Sequence, residues 1–128
     1  VDVITLMLGT NDCKTVFGAS ADVIGKGIIR LLDQIQEYAP KAEVLLISPI
    51  YLGKKVWQEG YDQEFSRESV AVSRNLQPVY EKIARDRQIE FLPAADHVQC
   101  CEADQEHLNA EGHKKFAEVV YRKLQKLL

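Results

Sequence analysis

The 128 residues suffice for one domain, since domains run roughly 100 to 200 residues. An apolar content of 46% against 27% charged residues is the balance of an ordinary soluble globular chain, neither disordered nor fibrous. A net charge of -3, with no Lys/Arg stripe interleaved with aromatics, gives no footing for nucleic acid, and no apolar run is long enough to span a bilayer.

The three cysteines, Cys13, Cys100 and Cys101, are an odd number with two adjacent. That is a poor disulfide framework and fits a reducing compartment, so the expected location is cytoplasmic. Val1 already sits inside a strand-like run with no initiating Met, so any targeting segment would lie upstream of it.

In chain order, Val3 to Leu8 is nearly continuously apolar and reads as a strand buried on both faces. It closes on Gly9-Thr10-Asn11-Asp12, a small polar turn at the strand tip. Ser20 is placed to cap a helix in which Ile24, Ile28, Leu31, Leu32 and Ile35 recur at helical spacing. Gly25 and Gly27 weaken that helix by about 1 kcal/mol each relative to Ala, and Pro40 ends it. Val44 to Ile47 is the second strand, stopped by Ser48-Pro49. Tyr51 to Glu64 has no clean period and reads as a loop. A second helix carries Leu76, Val79, Tyr80 and Ile83 on one stripe, with Pro78 implying a kink or a later start. Ile89 to Leu92 is the third strand. The last helix starts near Asn109 and is expected to bury Phe116, Val120, Leu124 and Leu127. Tyr38, Tyr80 and Tyr121 lie on helical stripes and read as packing residues.

Strands alternating with helices predict parallel βαβ units in a three-layer α/β/α sandwich with a flavodoxin-like sheet, in one domain over residues 1–128. Three strands make a thin sheet with exposed edges, so further N-terminal strands are expected upstream of the chain.

In a parallel sheet the loops after the strands emerge along one rim, where α/β proteins bind ligands. That rim receives Gly9 to Asp12 after the first strand and Asp104-Gln105-Glu106-His107 after the third. Asp104 and His107 are three apart, so in a turn the carboxylate reaches the imidazole Nδ1–H and leaves Nε2 free as a base. Asn11, on a Gly-led turn, can aim a side-chain N–H at a developing oxyanion, a contribution of roughly 3 kcal/mol or more.

On these residues the chain resembles the later part of a GDSL-type (SGNH) esterase or lipase. Gly9-Thr10-Asn11-Asp12 matches that family's Gly-x-Asn-Asp block, and Asp104 with His107 matches its Asp-x-x-His block. Leu108 to His113 is similar to the family's continuation into its final helix, and Ser48-Pro49 is similar to what the family carries after the preceding strand. The resemblance implies that His107 is the general base, Asp104 its orienting acid and Asn11 an oxyanion-hole donor, with Gly9 and Asp12 supporting the turn. It further implies a small-molecule ester as substrate, an acyl-serine intermediate, and no metal or organic cofactor.

The family's Gly-Asp-Ser block is absent. Ser20, Ser48, Ser66, Ser69 and Ser73 all sit in helical or strand-end contexts, none in a nucleophile elbow. The expected nucleophile therefore lies upstream, and residues 1–128 alone are expected to be inert. The other class of reading is a non-catalytic, flavodoxin-like binding module that retains the motif loops.

Plainer roles compete at each position. Asn11 and Asp12 also suit a turn that satisfies its own backbone, and Asp104 suits a helix N-terminus. His97, Cys100, Cys101, Asp104 and His107 are dense enough to raise zinc, but adjacent cysteines without a Cys-x₂₋₄-Cys spacing chelate one ion awkwardly. Cys100 as a nucleophile has no sign of a depressed pKa behind it. His113 reads as a partly exposed packing residue. Trp57 and Tyr61, with Phe65, are candidate pocket residues, and equally candidates for covering core edges. A thin sheet with open edges also allows pairing between chains, hence a homo-oligomer.

Overall fold

The structure, a computed structural model, describes residues 1–128. Three parallel strands, β1 (Val3–Leu6), β2 (Glu43–Ser48) and β3 (Glu90–Pro93), form one sheet in the order β1-β2-β3. Ile4 pairs with Val44 and Ile47 with Leu92, so β2 is hydrogen-bonded on both sides. It is accordingly the best-buried strand, with Leu45 and Leu46 fully inaccessible.

Helix α1 (Ala21–Tyr38) connects β1 to β2, and α2 (Arg67–Arg87) connects β2 to β3. Right-handed crossovers that advance across a sheet in one direction deposit their helices on the same face. The larger core cluster lies there: Ile24, Ile28 and Leu32 of α1 and Leu76, Tyr80 and Ile83 of α2, against Val44 and Leu46. Helix α3 (Ala110–Gln125) crosses to the opposite face, where Phe116, Val119, Val120 and Leu124 pack on Leu45, Ile47 and Leu92. These are the three layers expected from the strand-helix alternation.

The helix starts follow their caps. Ser20 Oγ accepts the Val23 amide, Asn109 Oδ1 accepts that of Gly112, and Ser66 and Ser69 form a reciprocal capping box. Helix α2 begins at Arg67, well ahead of Pro78, and runs on through it. Pro78 faces solvent, where water can bond the Arg74 carbonyl that the ring leaves without its N–H. The buried stripe on the other side keeps the helix in place.

Three expectations need correction. β1 stops at Leu6 and is not buried on both faces: Thr5, Met7 and Leu8 are exposed, because β1 has a neighbour on one side only. None of the residues of α3 is fully buried, since that helix covers its face of the sheet alone and its apolar stripe is shielded from one side. Tyr38 and Tyr121 are 80% and 61% exposed and belong to neither core cluster, although Tyr80 on α2 is wholly buried.

Candidate active site

Each strand delivers a loop to the carboxyl edge of the sheet. The first is built on Gly9, a buried residue at φ +138° whose ideal Cβ would stand 2.4 Å from the Tyr80 hydroxyl. No side chain fits there. The Tyr80 hydroxyl donates to the Leu8 carbonyl at 2.7 Å, and the Ser69 hydroxyl donates to the Cys13 carbonyl at 2.6 Å. Helix α2 thus holds both ends of the turn, whose short 3-10 segment, Asn11–Cys13, starts as the Asp12 amide donates to the Gly9 carbonyl. Cys13 is buried under it, and burial, reinforced by the Asp12 charge, pushes its thiol pKa up to about 12. Asn11 and Asp12 are exposed, and their side chains take part in no hydrogen bond.

The third loop presents Asp104 and His107 as a hydrogen-bonded pair. Asp104 Oδ2 lies 2.7 Å from His107 Nδ1, while Oδ1 accepts the amides of Glu106 and His107 at 2.9 Å each and the Cys101 thiol at 3.3 Å. Partial burial alone would raise the Asp104 pKa. The donors outweigh it and hold the carboxyl well below the usual carboxylate range. The bond from Asp104 raises the His107 pKa against a smaller opposing effect of burial, with Glu106, Asp104 and Asp62 adding negative potential. The ring is largely exposed, and its Nε2 makes no hydrogen bond within the chain.

The loop after β2 joins the other two. Its Glu64 carbonyl accepts the Thr15 amide at 2.9 Å and its carboxylate pairs with Lys14 at 2.8 Å, both on the Asn11 side. Its Gly53 amide donates to the Gln105 carbonyl at 2.7 Å, on the His107 side. Tyr61, Asp62 and Glu64 share an open depression with Asp104 and Glu106. Trp57 is elsewhere, under the guanidinium of Arg67 in a hollow shared with Val70 and Arg74. Of the three aromatic candidates only Tyr61 borders the Asp104–His107 pair, since Phe65 is buried in the larger core cluster.

Of the remaining nucleophile and metal candidates only Cys101 touches this arrangement, through its bond to Asp104. Ser20, Ser66 and Ser69 cap helices, Ser73 Oγ bonds the Leu52 amide and the Val70 carbonyl, and Ser48 is sealed at the end of β2 with its hydroxyl unpartnered. His97, Cys100 and Cys101 line a different depression with Asn109 and Lys115, and no three His, Cys, Asp or Glu side chains converge on a common point. Burial raises the Cys100 pKa, which makes it a poorer nucleophile. His113 is exposed on α3.

Sequence reasoning missed Tyr80 as the support of the Gly9 turn and Gln105 as the anchor of the His107 loop. Tyr80 was visible only as one more stripe residue. Gln105 gave no signal, because a left-handed conformation at a non-glycine residue has none in sequence.

The chain and its fold have counterparts among known proteins. The family model described as GDSL-like lipase/acylhydrolase matches residues 1–115. Among solved structures, a carbohydrate acetylesterase from Sinorhizobium meliloti is 28% identical with a TM-score of 0.89, covering 100% of this chain and 62% of that one. The inhibitor-bound aryl esterase of M. smegmatis shares the fold at a TM-score of 0.91 and 22% identity, again covering 100% and 62%. Another solved chain is 32% identical at a TM-score of 0.95, covering 100% and 60%. A search of curated proteins finds no match. The chain thus spans about three fifths of the length of these solved relatives. On the family match over residues 1–115, and with both motif loops on one rim of the expected fold, this chain belongs to the GDSL-like lipase/acylhydrolase family.

Proposed function

We propose that the protein is a carboxylic-ester hydrolase working through an acyl-serine intermediate, with its nucleophile upstream of Val1. The observation that carries this reading is the Asp104–His107 pair, 2.7 Å apart through Nδ1, with Nε2 left unengaged. Nε2 takes the serine proton as the hydroxyl attacks the ester carbonyl, then returns it to the departing alcohol. In the second half His107 activates water in the same way and the acid is released. Asp104 fixes the tautomer and stabilises the imidazolium without itself taking a proton, consistent with a carboxyl held so acidic. Asn11, exposed and uncommitted on the neighbouring turn, donates to the oxyanion, and Gly9 and Asp12 shape that turn. This chemistry needs no metal or organic cofactor.

The five serines within residues 1–128 are occupied as caps or core groups, which supports an upstream nucleophile and an inert isolated chain. The substrate is a small ester. Asp62, Glu64 and Glu106 around the pair disfavour anionic acyl or alcohol groups, and Tyr61 offers an aromatic wall on the same side. Neutral acylated carbohydrates, the type of compound named for the S. meliloti enzyme, suit such a rim.

Intact mass spectrometry after treatment with a fluorophosphonate probe tests the assignment. The expected result is one adduct on the full gene product, at a serine preceding Val1, and none on residues 1–128. An adduct on the shorter chain would mean the nucleophile is one of its five serines. No adduct on either would overturn the hydrolase reading.

A further inference from the structure

Gln105 stands between the two members of the pair in sequence, yet its side chain turns inward and is 5% exposed. It adopts φ +63°, a left-handed conformation that is costly for a residue with a Cβ. Five hydrogen bonds hold it there, one of them from its Nε2 to the Glu102 carboxylate at 3.4 Å. Its amide donates to the Cys101 carbonyl at 2.9 Å, and its carbonyl accepts the Gly53 amide at 2.7 Å. Its Oε1 accepts the Lys55 amide at 3.2 Å and its Nε2 donates to the Glu102 carbonyl at 3.3 Å. The opposite wall is shaped to match: an ideal Cβ on Gly53 would fall 2.2 Å from Gln105 Oε1, so only glycine leaves room for the side chain.

We infer that Gln105 is a positioning residue, whose buried side chain locks the loop after β3 onto the loop after β2 and so sets where His107 stands on the rim. The inference rests on the hydrolase reading above. Asp104 is oriented by the amides of Glu106 and His107, so carboxylate and imidazole move with the backbone that Gln105 pins. Beyond this turn the His107 ring has no hydrogen bond to hold it. A backbone that tolerates strain at one residue and tightness at its partner spends stability on fixing a geometry. Displacement of a catalytic group by about 1 Å can cost on the order of a hundredfold in turnover.

Gln105→Gly removes the side chain and relieves the left-handed strain together, so it separates the lock from mere foldability. In the full gene product, with p-nitrophenyl acetate as probe, kcat is expected to fall at least tenfold while KM changes less than threefold. Gly53→Ala, which pushes on Gln105 from the other side, is expected to lower kcat in the same way. Adding Gly53→Ala to Gln105→Gly should cost little more, since the new methyl then has room. The His107 ring titration, followed by NMR, is expected to move down toward its ordinary midpoint in Gln105→Gly. Should that variant not fold, Gln105→Asn replaces it, being tolerant of the left-handed region yet too short to reach Lys55. Turnover within threefold of wild type and an unchanged titration, in a protein that His107→Ala inactivates, would overturn the inference. If His107→Ala leaves turnover intact, the assignment of His107 as general base falls instead, and the titration alone decides the role of Gln105.

Discussion

The pKa values of His107 and Asp104 are shifted in opposite directions, and the signs set the pH window of stability and, under the proposed function, of turnover. The folded pKa of His107 lies above its ordinary 6.5, so the pair contributes stability that is fully present below 6.5 and is lost as pH rises through the folded value. The folded pKa of Asp104 lies below its ordinary 3.8, so its contribution is present above 3.8 and is lost as pH falls through the folded value. Both contributions coexist between those ordinary values. A general base must be neutral, so kcat/KM of the full gene product is expected to rise with pH through a midpoint above 6.5. In Asp104→Asn that midpoint should shift down toward 6.5, with kcat reduced on the order of 10²- to 10⁴-fold, and His107→Ala should lose a similar factor. A wild-type midpoint at or below 6.5 would contradict the raised pKa. The contact between these two residues was legible because a carboxylate and an imidazole three positions apart can bond within one turn. Gln105 and Tyr80 were not, because their roles depend on backbone angles and on contacts between distant loops.

The two glycines of α1 look alike in sequence and differ in the fold. An ideal Cβ on Gly25 would stand 2.5 Å from Val79 Cγ1 of α2, whereas one on Gly27 meets nothing within 4 Å. Gly27→Ala is therefore expected to gain up to about 1 kcal/mol from helix propensity alone and to raise the melting temperature. Gly25→Ala would gain the same propensity but must force α1 from α2, and overpacking of this kind typically costs about 1 to 3 kcal/mol. A net loss of melting temperature is expected, and a gain equal to that of Gly27→Ala would mean that the helices are not in close contact at this point. Caps and stripes at Ser20, Ser66 and Asn109 were readable because they are local. Which helix approaches which, and so which glycine is needed, depends on the tertiary arrangement. The same limit explains Pro78: local rules stop a helix there, but the buried face of α2 carries it through.

At the scale of the whole molecule, burial is lopsided about β2. That strand is sealed on both sides and both faces, while β1 has an open edge and leads into exposed Met7 and Leu8, and α3 covers its face alone. The alternation of strands and helices predicted the layers, but burial cannot be read from apolarity alone. A run such as Val3 to Leu8 is written for neighbours on both sides and has one here. A sheet edge of unpaired N–H and C=O groups invites another strand, either from upstream in the same polypeptide or from a second copy. Native-state hydrogen exchange distinguishes these. In residues 1–128 the amides of Val44 to Ile47 are expected to be the slowest, and the β1 amides that point away from β2 among the fastest in any strand. In the full gene product the same β1 amides should become protected at every protein concentration, with β2 little changed. Protection that appears in the shorter chain and grows with concentration would instead mark pairing between copies. Fast exchange of the β1 edge in the full gene product would leave the upstream segment, and the serine assigned to it, without a strand to place it beside Asn11.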